Sequence, residues 1–96
     1  KLLSEEGIIT VVAAVDPYEK FLVGDVQIIT RGFVYVRESE DLMEEIRTVS
    51  RRAIEFALDS GLDLASVKSR ARDEISKFLF GRTRRRPMVL PVIVEI

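Results

Sequence analysis

The sequence predicts an α+β fold. It reads as a small mixed three-stranded sheet in the order strand 2-1-3, with two helices on one face and the element order β-β-α-α-β. Three observations carry this. The first is an apolar, β-branched run over residues 8–15 that does not alternate. A strand apolar on both faces belongs at the centre of a sheet. The second is a pair of apolar stripes at helical spacing, separated by a short glycine turn. The third is a closing apolar run interrupted by a proline, which suits a sheet edge. If successive elements reverse direction, the last strand runs parallel to the first and pairs beside it. The connection that carries both helices is long enough to cross the sheet face.

The elements follow in order. Residues 7–15 form the first strand, with Ile8, Thr10, Val12 and Ala14 on one side and Ile9, Val11, Ala13 and Val15 on the other. Asp16-Pro17-Tyr18-Glu19 is turn chemistry: Pro17 pre-sets φ and Asp16 can cap the turn. Residues 21–30 return as a second, antiparallel strand, where Gly24-Asp25 suggests a bulge. Arg31-Gly32 punctuates, and Phe33-Val34-Tyr35-Val36 is a short extended piece. Ser39 is a good N-cap, with Glu40 and Asp41 where the helix dipole favours anions. The stripe of the first helix is Leu42, Ile46, Val49, Ala53, Phe56 and Ala57, and Gly61 sits where a helix-ending glycine belongs. Asp63 can cap a second helix with the stripe Leu64, Val67, Ala71, Ile75, Phe78 and Leu79, closed by Gly81. Residues 83–87 are a basic connector, in which Pro87 pushes Arg86 out of helical geometry. Residues 88–96 form the last strand.

Composition excludes much chemistry. The chain of 96 residues is one domain's worth and has no cysteine, no histidine and no tryptophan. Folding a chain of this size buries roughly 65% of its surface, enough for one core and no deep enclosed cleft. Disulfide scaffolds, thiolate or imidazole metal sites and cysteine or histidine catalysis are therefore excluded. No apolar run approaches a membrane span, and no signal-peptide pattern opens the chain. It begins at Lys1 rather than Met, as an excised piece of a longer protein would.

The net charge is -1, but it is unevenly spread. Residues 37–45 hold five acids and one base, and residues 66–86 hold eight bases and two acids. The acidic cluster of Glu38, Glu40, Asp41, Glu44 and Glu45 is read as a solvated helix start, with a carboxylate-only magnesium site as the weaker alternative. Arg82-Thr83-Arg84-Arg85-Arg86 places four guanidiniums within five residues. They suit a helix C-terminus paired with the acidic segment, or phosphate contacts. Lys68 and Arg72 lie four apart on one helical face and extend the candidate RNA-binding set. Phe33, Tyr35, Phe78 and Phe80 could stack bases, although aromatics are chiefly core formers. A KH-type reading fails, because the loop Asp59-Ser60-Gly61-Leu62-Asp63 has one glycine and two acids where that domain needs a GxxG phosphate clamp.

Three segments carry a resemblance. Leu3-Ser4-Glu5-Glu6-Gly7-Ile8 opens the chain. Arg31-Gly32-Phe33-Val34-Tyr35-Val36-Arg37-Glu38-Ser39 lies between the second strand and the first helix. Arg85-Arg86-Pro87-Met88-Val89-Leu90-Pro91-Val92-Ile93-Val94-Glu95-Ile96 closes the chain. Together they resemble the C-terminal domain of ribonuclease J, over essentially the whole chain and in the same segment order. The resemblance implies a larger cytoplasmic parent: a metallo-β-lactamase domain with an inserted β-CASP domain, a linker, then this domain. Such a parent is a zinc-dependent ribonuclease with endonucleolytic and 5′-to-3′ exonucleolytic action in bacterial RNA decay, mRNA turnover and rRNA maturation. Its dinuclear zinc centre rests on a histidine-rich HxHxDH motif, and this histidine-free chain can carry none of it. Residues 1–96 are thus expected to be a single C-terminal accessory domain. It would lack a catalytic centre, a metal and a cofactor, and would not cleave RNA by itself.

Two roles compete. The leading one is assembly, against the parent's catalytic core or a second copy as a homodimer. Two helices cover one sheet face, yet the first strand is apolar on both, and exposed contiguous apolar surface marks an interface. The interface candidates are Ile8, Ile9, Val11, Val12, Val92 and Val94. The sequence leaves open which side of the first strand is uncovered. The rival is an auxiliary RNA-binding module using Arg82, Arg84, Arg85, Arg86, Lys68 and Arg72. A carboxylate-metal nuclease is a distant third, because it lacks poised groups.

Overall fold

The structure is a computed structural model that describes residues 6–33 and 39–96. Its elements are β1 (Ile8–Asp16), β2 (Phe21–Arg31), α1 (Ser39–Asp59), α2 (Leu64–Thr83) and β3 (Met88–Glu95). The three strands form one sheet in the order β2-β1-β3. β1 pairs antiparallel with β2 and parallel with β3. This is the β-β-α-α-β fold, with β1 central, that its two-sided apolar pattern requires.

Each junction has a local cause. The Asp16 carboxylate accepts the main-chain N–H groups of Tyr18 and Glu19, both at 3.0 Å, and so closes the β1–β2 turn. The β1–β2 register shifts between Val12 and Ala14, opposite the stretch of β2 that holds Gly24 and Asp25, which is the expected bulge. α1 ends on Gly61 at φ 80°. The Gly61 N–H donates to the Leu58 carbonyl at 3.0 Å and the Leu62 N–H to the Ala57 carbonyl at 3.2 Å, the paired bonds of a Schellman ending. Asp63 then caps α2 by accepting the Ser66 N–H at 2.8 Å. This bond holds its carboxyl below the ordinary range. Asp25 is held low as well, chiefly by its bond to the Arg51 guanidinium of α1.

The core lies between the sheet and the helices. α1 lies over β2 and α2 over β3. Ile9, Val11, Ala13 and Val15 of β1 point into it, with Leu22 and Val26 of β2 and Val89 of β3. Leu42, Ile46, Ile54, Ala57 and Leu58 cover them from α1, and Val67, Ala71, Ile75 and Leu79 from α2. Each such buried aliphatic side chain contributes about 1.5–3 kcal/mol relative to exposure. Pro91 fits the edge strand β3. The Met88 N–H donates to the Gly7 carbonyl just before β1 at 2.8 Å, and the Ile96 N–H to the Val15 carbonyl of β1 at 2.9 Å. Alternation therefore turns the odd-numbered amides of β3 toward the free edge, where the missing Pro91 donor interrupts no β1 bond.

Two expectations are corrected. The α1 stripe is rotated: Phe56 is 62% exposed, while Ile54 and Leu58 are buried. The stripe runs Leu42, Ile46, Ser50, Ile54, Leu58, and Ser50 interrupts its apolar pattern. Ser50 is tolerated there because its hydroxyl donates to the Ile46 carbonyl at 2.7 Å. Gly81 does not close α2. The helix runs on to Thr83, and Arg84 takes the left-handed ending at φ 61°, its N–H donating to the Phe80 carbonyl at 2.8 Å. The Arg82–Glu45 ion pair and the Thr83 hydroxyl, which donates to the Leu79 carbonyl at 2.7 Å, hold the extra turn. The cap expected at Ser39 adjoins segment 34–38, outside the described residues, and α1 is described from Ser39 onward. The extended piece placed at residues 33–36 falls, apart from Phe33, outside the described residues.

Gly81 therefore sits inside a helix, without positive φ and with nothing within 4 Å of the site of a Cβ. Gly81→Ala is expected to stabilise the domain by about 1 kcal/mol. In a domain of this size that raises Tm by about 4–8 °C. Thermal unfolding followed by circular dichroism checks it; a fall in Tm would show that the last turn of α2 is not helical.

Candidate functional site

Two surfaces stand out, and the strand register defines the first. Val12 pairs with Gln27 and Val92, Thr10 with Ile29 and Leu90, and Ala14 with Val23 and Val94. Partners across a ladder share a face, so all of these lie on the side of the sheet away from the helices. Among the described residues no element covers that side. Phe21, Ile29, Leu90, Val92, Val94 and Ile96 are 47%, 56%, 42%, 42%, 48% and 69% exposed. Ile8, Val12, Val92 and Val94 belong to this open face. Ile9 and Val11 do not: at 0% and 1% exposed they are core residues beneath the helices. Phe21, Ile29 and Leu90 complete the face. Sequence reading passed over them, although their spacing from Val23 and Val92 by twos carried the signal.

The second surface is the basic flank around the end of α2. Its cations are not equivalent. Arg82 is half-buried and its Nε donates to Glu45 Oε1 at 2.8 Å, the expected pairing with the acidic start of α1. Arg84 and Arg86 converge on one aromatic ring, their guanidinium carbons 5.0 and 4.1 Å from the Phe80 centroid. The Arg85 N–H donates to the Thr83 hydroxyl at 3.1 Å, and the Arg86 N–H donates to the Glu6 carboxylate. Ser76, Lys77, Phe80, Arg86 and Pro87 line a crevice of about 330 Å³ here. Lys68 and Arg72 lie on the exposed side of α2. Arg72 approaches Asp73 at 3.5 Å and donates to the Ser69 hydroxyl at 3.1 Å, so it belongs to a local pair rather than to the flank.

The acidic cluster resolves into helix-start carboxylates. Glu44 bonds Arg47 within the helix and Glu45 bonds Arg82; Glu38 lies outside the described residues. Among the described residues, no three Asp or Glu side chains are grouped to hold a metal ion. Without His or Cys, the donor set does not fit a zinc centre. No helix among the described residues is long and apolar enough to cross a membrane.

Together these features define a two-layer α+β module with one apolar sheet face that no described residues cover and a basic flank at one end. The chain belongs to the ribonuclease J C-terminal domain family, whose model matches residues 1–96. It is 45% identical over 96 residues to ribonuclease J 2 of Staphylococcus aureus, covering 99% of this chain and 17% of that protein. It is 41% identical over 97 residues to ribonuclease J2 of Bacillus subtilis, covering 100% of this chain and 18% of that protein. The chain thus spans less than a fifth of the length of these relatives.

Proposed function

We propose that residues 1–96 form the accessory assembly domain of a ribonuclease J-type enzyme. The parent is a zinc-dependent ribonuclease of the metallo-β-lactamase and β-CASP type. It works in the cytoplasm in RNA decay and maturation, with both endonucleolytic and 5′-to-3′ exonucleolytic action. Its metal and catalytic groups lie outside these residues. The domain joins two copies of the enzyme as a homodimer and thereby supports full activity.

The observation that carries the assembly role is the open sheet face. Six large apolar side chains on the strands and at Ile96 lie 42–69% exposed, while the other face of the sheet carries the core. Burying a handful of aliphatic side chains at about 1.5–3 kcal/mol each can exceed the roughly 4–15 kcal/mol that association costs. A two-fold pairing of the face with itself hides all of it at once.

Light scattering with size-exclusion chromatography, run over a concentration series of this chain, tests the reading. The expected result is a mass that rises to twice the monomer value in the micromolar range. A monomer at high micromolar concentration would sink the homodimer and leave the face to the parent's catalytic core.

A further inference from the structure

We infer that the groove between α1 and α2, on the side of the helices away from the sheet, is a docking site for one amphipathic helix of another protein. That helix is apolar along one side, acidic in its N-terminal half and basic in its C-terminal half.

The groove consists of two adjoining hollows, both lined by helix residues alone. One, of about 360 Å³, is lined by Val49, Arg52, Ala53, Phe56, Arg70 and Glu74. The other, of about 440 Å³, is lined by Asp41, Glu44, Glu45, Thr48, Val49 and Phe78. Val49 belongs to both, so the two are continuous. On α1 the lining follows the row Asp41, Glu45, Val49, Arg52 and Phe56, at steps of three or four residues. From Asp41 to Phe56 the helix rises about 22 Å, which is the length of a four-turn helix lying alongside.

The floor is apolar. Phe56 is 62% exposed and Ala53 is buried, while Val49 and Phe78 are half-buried. An aromatic ring open to water within a concave surface is the kind of anchor that carries binding energy once it is covered.

The two ends carry opposite charge. Arg52 and Arg70 stand at one end, and among the described residues neither forms an ion pair. Against them the lining holds only Glu74. Asp41, Glu44 and Glu45 stand at the other end, whose lining holds no cation. Glu44 and Glu45 bond Arg47 and Arg82, while Asp41 forms no ion pair among the described residues. Charge complementarity fixes orientation more than affinity. A helix bears acids best near its N-terminus and bases best near its C-terminus. The partner's acidic N-terminal half therefore lies beside Arg52 and Arg70, and the partner runs antiparallel to α1 and parallel to α2.

One helix fits this groove better than a second copy of the hairpin. Two hairpins meeting here would set groove against groove and leave both floors unfilled, whereas a single helix fills the space between the two rows. In a dimer paired through its sheet faces the helix layers lie outermost, so both grooves are open to another protein. That choice of source rests on the homodimer proposed above; the groove itself lies within one chain.

The test uses the 96-residue chain labelled with nitrogen-15 and two synthetic, fluorescein-labelled helical peptides of about four turns. Both carry leucines at helical spacing along one side. The first has glutamates in its N-terminal half and lysines in its C-terminal half; the second has these blocks exchanged. Anisotropy reads affinity, and amide chemical shifts read the place of binding. The first peptide is expected to bind and to shift the amides of Val49, Ala53 and Phe56. The exchanged peptide should bind about tenfold more weakly at low salt, and added salt should narrow the gap. Phe56→Ala should weaken binding about tenfold without lowering Tm, because the ring is mostly in water. Arg52→Glu combined with Arg70→Glu should invert the preference between the peptides. Tyr18→Ala removes an exposed aromatic from the β1–β2 turn and should leave affinity unchanged.

The proposal is overturned if neither peptide binds at high micromolar concentration, or if both bind equally. It is overturned too if the shifts fall on the sheet face around Val12 and Val92. If the groove amides shift when the chain alone is concentrated, the occupant is a second copy and the partner helix is refuted. Val12→Asp, which removes the sheet-face contact, should bind the first peptide as tightly as the wild type. A chain that stays monomeric and binds supports the groove and counts against the homodimer alone. A chain that dimerises and does not bind overturns the groove alone.

Discussion

Val11→Asp is expected to abolish folding, and Val12→Asp, one residue away, to give a folded monomer. Val11 is 1% exposed and faces the helices between Ile28 of β2 and Pro91 of β3. A carboxylate there has no partner in an apolar core, and its burial costs several kcal/mol even after relaxation. That approaches the whole stability of a domain, about 5–15 kcal/mol. Val12 points the other way, between Gln27 and Val92 on the open face. Its aspartate stays in water and loses only strand propensity, about 1 kcal/mol. The same charge would be desolvated against a second copy, so pairing is lost. Far-ultraviolet circular dichroism and solution mass check both variants. Folded Val11→Asp would refute the facing of β1, and dimeric Val12→Asp would remove the open face as the interface.

The second large effect is expected at Gly7. Gly7→Ala should destabilise the domain by about 3 kcal/mol or more. Gly7 has φ +99°, and a Cβ there would lie 2.6 Å from both the Gly32 carbonyl carbon and the Phe33 nitrogen. Both are main-chain atoms, so no side chain can swing aside. Moving Gly7 instead disturbs its carbonyl, which accepts the Met88 N–H at 2.8 Å where the β1–β3 ladder begins. The conformational strain alone is about 1–3 kcal/mol, and the contact adds to it. Gly61 makes the comparison. It also has positive φ, at +80°, but nothing lies within 4 Å of its Cβ site. Gly61→Ala should cost about 1 kcal/mol. Urea denaturation of the two variants gives the contrast; equal losses would show that the close approach of Gly7 to Gly32 and Phe33 is relieved at little cost.

Much of this fold is legible in the chain because its local signals agree with one another. The β-branched run over residues 8–15 can only be a central strand. Asp16 and Asp63 are placed where an acceptor is needed for open N–H groups, and Gly61 where a left-handed residue is needed. The candidate site was legible in part. Arg84 and Arg86 stand out as charge, but their shared ring, Phe80, reads as part of the helix pattern, since it neighbours the stripe residues Phe78 and Leu79. That α2 passes Gly81 and brings both arginines to that ring depends on contacts between α1 and α2, above all Arg82 with Glu45.

The sequence by itself determined the element order, the centrality of β1 and the edge position of β3, since each follows from which residues are apolar and where proline removes a donor. It also determined that the chain lacks imidazole and thiolate chemistry. Only the tertiary structure decided which side of β1 meets the helices. Ile8, Val12 and Ala14 are as apolar as Ile9, Val11 and Ala13, so a period of two gives no direction. It likewise decided the rotation of α1. Ser50 breaks the apolar row that is actually buried, and Phe56 lies on a neighbouring row that looks equally hydrophobic but faces water. Patterns rank faces by composition; packing between elements chooses among faces that composition leaves equal.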